Sequence, residues 1–356
     1  MIIYARSPYT IEINEASQVG SKLEIFLWNT PNSIPSTATY TLSKKVASNS
    51  QRSTIYNISP YIREFINNIV SSNGTDNQWC NVSIKRYKET SASVYSLIDT
   101  TTYAGVDGYN NYIGGYNQTN PLNNYCLLTD NSKEIQYSLG NIPFANVLIN
   151  NALGDKLDVE YKDIRNNNII TTTIFGTGVA AGKYLYKVPL TTSSANYNDG
   201  TITTLKYYVG AILTYSSVFN VTPICESKYT PVVCSFINRF GGWQFLTFFK
   251  AQTNQLTVSS TMYNLLPSAY NYNVYKGQSK AFNFNARQTI TLNTGFVPQN
   301  YSDLIQDLML SEVVLLDNKP VTLKTNQTDL KTTIKDKNIN YSIDFEYAYN
   351  LLNNVI

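Results

Sequence analysis

At 356 residues and 43% hydrophobic content, the chain is long enough for two or three domains with cores of their own. Only 14% of its residues are charged, the net charge is +3 and 29 residues are tyrosine, so its polar surface is built from Asn, Thr, Ser and Tyr. That balance excludes the basic groove by which proteins neutralise nucleic-acid phosphates, and the complete absence of histidine excludes Ser-His and Cys-His catalysis and most zinc or iron sites.

Residues 1–100 read as a β-rich domain with one helix. Strands are predicted at 9–13, 23–28, 39–42 and 53–58 from alternation and β-branched or aromatic content. A helix then opens at Ser59, a capping residue type, with Pro60 in its first turn. Tyr61, Ile62, Phe65, Ile66, Ile69 and Val70 recur on one face, and the helix is expected to stop before Ser71. Residues 79–88 return as a strand. Its basic cluster, Lys85, Arg86 and Lys88, reads as a solvated face.

Residues 101–139 change character. Gly, Asn and Tyr dominate and neither period is sustained, so a long loop or arm is expected. Tyr109, Tyr112, Tyr116 and Tyr125 are its candidate recognition residues, since tyrosines of such loops stack on sugars or proteins.

Residues 140–222 read as a second β domain, an immunoglobulin- or fibronectin-like sandwich with strands at 144–149, 158–161, 169–175, 183–188 and 205–213. The stretch from Gly176 to Lys183 imitates a nucleotide loop. It lacks the first glycine of that motif, where Thr177 stands, and the hydroxyl after the lysine, where Tyr184 stands, so no nucleotide is expected there.

Residues 223–356 form a C-terminal β-rich domain with one short helix. Its centre is a predicted hairpin over 232–250, turning at Asn238-Arg239-Phe240-Gly241-Gly242. Apolar side chains occupy both faces of its second arm, so Phe236, Arg239, Phe240, Trp243, Phe245 and Phe248 are candidates for core or interface. Further strands are expected at 256–259 and 282–292, a helix at 301–310 with Ser302 near its cap, and a hairpin around 317–320. A terminal strand with Tyr341, Ile343, Phe345 and Tyr347 on one face closes the chain.

Cys80, Cys126, Cys225 and Cys234 form no Cys-x-x-Cys pair and are expected as free buried thiols, although Cys225 and Cys234 could meet across a turn. The first residues contain no apolar segment of signal-peptide type, and no window is long enough for a transmembrane helix. Acid–base chemistry could come only from carboxylates. The nearest groups are Asp155 with Asp158 and Glu160, Asp344 with Glu346, and Asp303 with Asp307, each of which has a surface or helix-end explanation. No catalytic residue, cofactor or metal is expected.

Five motifs stand out together: Ala5-Arg6-Ser7-Pro8-Tyr9, Ser59 through Ile66, Phe236 through Trp243, Leu308-Met309-Leu310-Ser311-Glu312, and the stretch from Asp336 to Tyr349. In these the chain resembles virion structural proteins of tailed bacteriophages that infect Bacteroidetes, especially flavobacteria. The resemblance implies a non-enzymatic tail, baseplate or tail-tip component, made in the host cytoplasm and found in the virion. Its partners would be copies of itself and other tail proteins, with no nucleic acid and no membrane insertion. The alternatives are a tail-fibre module that binds a host surface glycan or receptor through the 101–139 loop, and a capsid-decoration or head–tail connector protein.

Overall fold

A computed structural model describes residues 1–30, 32–48, 52–66, 78–120, 124–129, 133–192, 199–224, 228–265, 275, 277–328 and 339–353. The protein is mainly β, as its patterning predicts: of the described residues 57% are in strands and 6% in helices. It divides into two compact units. Unit 1 holds Met1–Cys225, Phe236–Leu246 and Asp303–Glu312; unit 2 holds Glu226–Ser235, Thr247–Ser302 and Val313–Ile356.

Unit 1 begins with β1 (Ile2–Tyr4), β2 (Thr10–Ile13), β3 (Gly20–Trp28), β4 (Tyr40–Lys45), β5 (Thr54–Asn57), α1 (Ser59–Phe65), β6 (Trp79–Ser91), β7 (Val94–Val106) and β8 (Thr119–Asn120). Six of these strands form one sheet in the order β4-β3-β6-β7-β1-β8, with β1 parallel to β7; β2 and β5 pair separately. The side chains of β1 alternate between two cores. Ile3 joins Ile11, Ile25, Leu27, Ile62 and Val82 on one side, while Ile2 and Tyr4 join Trp79, Val106, Leu128 and Leu148 on the other. A three-residue strand buried on both faces is held by its neighbours rather than by its own propensity.

The remainder of unit 1 carries β9 (Tyr125–Leu127), β10 (Glu134–Tyr137), β11 (Phe144–Asn151), β12 (Lys156–Asp163), β13 (Ile169–Phe175), β14 (Gly182–Pro189), β15 (Thr201–Val209) and β16 (Ile212–Pro223). They make a three-stranded sheet, β14-β11-β9, and a five-stranded sheet, β10-β16-β15-β12-β13. Val147 and Ile149 of β11 share a core with Leu157, Val159, Leu205, Tyr207 and Phe219, whereas Leu148 joins the cluster of Ile2 and Trp79. β11 is therefore buried on both sides, as its consecutive apolar residues Val147, Leu148 and Ile149 require.

Several expectations change here. The 101–139 segment is more than a loop: it holds the end of β7, a 3-10 turn at Tyr112–Gly114, and β8, β9 and β10. The strand expected at 205–213 is two strands, because Gly210 takes a φ of 59° and reverses the chain between them. Helix α1 stops at Phe65, where Ile66 becomes extended with ψ 123°; Ile69 and Val70 lie outside the described residues. The false nucleotide loop connects β13 to β14, with Lys183 inside a strand.

The rest of the chain adds β17 (Val232–Ile237), β18 (Trp243–Phe248), β19 (Thr253–Asn264), β20 (Ser279–Val297), α2 (Tyr301–Met309), β21 (Val314–Leu316), β22 (Lys319–Leu323) and β23 (Ile339–Tyr347). The sheet order is β18-β17-β21-β22-β23-β20-β19. Asp317 and Asn318 both take positive φ, 45° and 64°, which suits a two-residue hairpin loop. In unit 2, Phe248 meets Phe345 edge to face at 5.9 Å, and Ile290, Leu292 and Ile343 are buried with them. Both β19 and β20 run well beyond the strands predicted at 256–259 and 282–292.

Candidate functional site

Four of the five motifs meet in unit 1, around the tip of the β17–β18 hairpin. Asn238 governs the turn. Its Oδ1 accepts hydrogen bonds from the Phe240 and Gly242 amides, both at 3.0 Å, and its Nδ2 donates to Leu128 O at 3.2 Å and Gln244 Oε1 at 2.9 Å. Gly241 has a φ of 78°. A Cβ on Gly242 would stand 2.1 Å from Leu128 O, so the backbone approach requires glycine.

The segment after β7 clasps this tip. The Tyr109 amide donates to Arg239 O at 2.8 Å, and the Arg239 amide to Asp307 Oδ2 at 3.3 Å. Tyr109 OH donates to Asp307 Oδ1 at 3.3 Å, and burial followed by the Asp307 charge pushes this phenol well above its ordinary range. The Arg6 guanidinium lies 4.9 Å from the Tyr109 ring centre, donates to Leu310 O at 2.7 Å and approaches Glu312 at 3.4 Å. Arg63 also bonds Glu312 and comes within 3.9 Å of buried Asp107. Arg6 and Arg63 thus face Glu312 and Asp107, while Arg239 reaches Asp307 through its backbone amide.

The first motif is stapled to the second by Ser59. The expected cap is corrected: Ile58 holds the N-cap position without a side-chain cap bond, and the Ser59 amide donates to Asn57 Oδ1 at 3.2 Å. Ser59 Oγ instead accepts from the Tyr9 amide at 2.8 Å and donates to Ser7 O at 2.6 Å. The Asn110 amide donates to Ser7 Oγ at 2.8 Å, and Asn117 exchanges hydrogen bonds with the Thr10 backbone. Beside these groups lies a cleft of about 460 Å³, lined by Arg6, Ser7, Ser59, Pro60, Arg63 and Glu64 among others.

The candidate residues separate accordingly. Phe236, Trp243 and Phe248 are core, with Trp243 only 3% exposed. Phe245 is half-buried and meets Phe144 edge to face at 4.4 Å. Phe240 packs against the Ile2–Trp79 cluster, and Arg239 lies over its ring at 4.7 Å. Of the tyrosines proposed as readers, Tyr109 belongs to the clasp. Tyr125 stacks on Tyr215, donates to Ser217 Oγ at 3.1 Å and is pushed up to about 12 by burial, so it supports the sandwich core. Tyr112 and Tyr116 stand in solvent, 98% and 85% exposed.

The carboxylate groups have structural partners. Asp155 accepts from Tyr207 OH at 2.6 Å and the Ala152 amide at 3.0 Å; Asp158 pairs with Lys156 at 2.6 Å and Thr173 at 2.8 Å. Glu160 pairs with Lys206 at 2.5 Å, Asp344 accepts from Thr291 at 2.6 Å, and Glu346 pairs with Lys324 and Arg287. Among the described residues no group of three His, Cys, Asp or Glu is placed to hold a metal ion. No described helix is long and apolar enough to cross a membrane. Cys80, Cys126 and Cys234 are free thiols; burial pushes Cys80 up to about 12 and Cys126 up to about 11. Cys225 lies outside the described residues.

Sequence reasoning picked out the hairpin but missed Asp107, Asp307 and Glu312 as acids of the clasp around it. Glu312 lies inside one motif and Asp307 beside it, whereas Asp107 carries no such signal. No protein-family model matches the chain, and no curated protein matches it.

Proposed function

We propose that the chain is a non-enzymatic structural subunit of a bacteriophage virion, a tail, baseplate or tail-tip component that assembles with copies of itself and with other tail proteins. The supporting observation is the clasp. Motifs near residues 5, 60, 240 and 310 bind one another, with Arg6 and Arg63 sharing Glu312 and Tyr109 and Arg239 sharing Asp307. Side chains engaged in this way hold chain segments together, which is an architectural role. The low charged fraction of 14% suits surfaces that become buried in an assembly. Cryo-electron microscopy of purified virions tests the reading. Density for this chain in the tail or baseplate is expected, and its absence from the particle would overturn the proposal.

A second reading, a module that binds a host glycan, is supported by Tyr112 and Tyr116, whose rings are presented to solvent on a turn anchored by Asn117. It predicts that Tyr112→Ala with Tyr116→Ala abolishes binding to host-cell surfaces while leaving the melting temperature unchanged. Equal binding by the variant would remove it.

A further inference from the structure

Three partly buried lysines of unit 1 bind carboxylates. Lys22 meets Glu24 at 2.7 Å, Lys156 meets Asp158 at 2.6 Å and Lys206 meets Glu160 at 2.5 Å. Lys183 and Lys187 on β14 differ. Among the described residues no carboxylate pairs with either ammonium, and burial pulls both lysines below their ordinary range. Lys187 Nζ rests 3.8 Å from the Phe144 ring centre.

The two lysines share one face. Lys183, Leu185 and Lys187 alternate with Tyr184 and Tyr186 along the strand, and Leu185 is buried in the cluster of Ile2 and Trp79. Asn150 stands directly opposite Lys183, and Asn146 opposite Lys187. Asn146 is wholly buried and its Oδ1 and Nδ2 have no hydrogen-bond partner, so it accepts nothing from the ammonium. The chain thus desolvates two cations four residues apart, a span of about 13 Å, and gives neither an anion.

β14 is also an edge. It pairs with β11 on one side and with no described strand on the other, where Thr30 Oγ1 donates to Lys183 O at 2.6 Å. Edge lysines can serve only to keep foreign strands apart, but a fully exposed ammonium does that without the cost of desolvation. A free row of backbone groups beside two unpaired cations fits an added strand with acids at the same four-residue spacing. A nucleic acid fits less well: two cations neutralise few phosphates, and the whole chain is only +3.

We propose that the Lys183–Lys187 edge of β14 binds an extended acidic segment of a partner protein, which lies beside β14 and sets carboxylates against both ammoniums. This deepens the assembly reading above and rests on it for its biological meaning.

The test is fluorescence anisotropy of a short labelled peptide of threonine and valine with two glutamates four residues apart, titrated with the purified full chain. Binding that weakens with salt is expected for the wild type. It is expected equally for a charge-matched control, Lys133→Gln with Lys319→Gln, both at exposed positions. Lys183→Gln with Lys187→Gln should weaken binding about tenfold or more, at an unchanged or higher melting temperature. A peptide with glutamine in place of glutamate should bind the wild type no better than that. Charge reversal gives a second arm: Lys183→Glu with Lys187→Glu should bind the peptide remade with lysines and reject the original.

No binding by the wild type, binding that survives both glutamines, or a single-stranded oligonucleotide that outcompetes the peptide at these lysines would overturn the proposal. So would a glutamine variant that aggregates while the wild type ignores the peptide, the behaviour of lysines that only guard an edge. Absence of the chain from virions would instead remove the virion reading and leave peptide binding standing.

Discussion

The chain contains two apolar hairpins with opposite fates. The β17–β18 tip holds Phe240, Gly241, Gly242 and Trp243, and unit 1 covers it: Leu128, Asp107, Tyr109 and Asp307 bind or abut its backbone. The β19–β20 ribbon has a comparable apolar stripe, yet its side chains remain half-exposed or more. Hydrophobic content alone does not separate them. The tip brings a buried polar side chain, Asn238, whose four hydrogen bonds fix one geometry, whereas the exposed part of the ribbon offers apolar side chains among neutral polar ones. Apolar burial sets how much surface is hidden; directional bonds set which partner hides it.

The largest effect that would break this comparison lies at the tip. Trp243→Ala is expected to destabilise the fold by about 3–5 kcal/mol in chemical denaturation, through lost burial and the cavity left behind. Trp243→Phe should cost much less, because Trp243 Nε1 is buried without a hydrogen-bond partner. If the two substitutions cost the same, core packing at this position is not what holds the tip.

Asn238→Ala comes next, at about 2–3 kcal/mol, since it strips acceptors and donors from buried backbone groups. Gly242→Ala should cost about 1–3 kcal/mol, as Leu128 must move away from the new methyl group. A melting temperature unchanged by either would show that the turn tolerates other geometries.

Glu312→Gln sharpens the comparison at the rim of the clasp. Arg63 and Glu312 are both about half-exposed, so the loss should stay below about 1 kcal/mol and shrink further in high salt. The smallest effect belongs to the ribbon: Leu256→Ser should change the stability of the isolated chain by no more than about 0.5 kcal/mol. A large loss there would mean that the stripe is already covered within the chain.

Much of this architecture is readable from local pattern. The hairpin over 232–250 follows from Gly241-Gly242 between β-prone runs, and α2 and β23 follow from clean periodicity. Other elements carry too little local contrast. β1 is three residues long and takes its stability from β7 and β8. β7 is rich in Thr and Ser, and only its last three residues are buried. α1 is shorter than its apolar period because its register depends on tertiary contacts of Ile62 rather than on the helix alone.

The clasp was legible only as a set of motifs. That Arg6, Arg63, Asp307 and Glu312 meet is a property of chain topology; Arg6 and its hydrogen-bond partner Leu310 are 304 positions apart. No periodicity encodes such a pairing. The ribbon stayed hidden for the opposite reason: its apolar residues match those of a buried strand, and only the structure shows them exposed.

The central claim is that one hairpin is completed inside the chain and the other is left exposed. Amide hydrogen exchange of the purified full chain tests both halves at once. The account predicts that the Gly241 and Gly242 amides are strongly protected, while the amides of Thr253–Asn264 exchange much faster. Fast exchange at the tip, or protection along β19 equal to that of the tip, would contradict it.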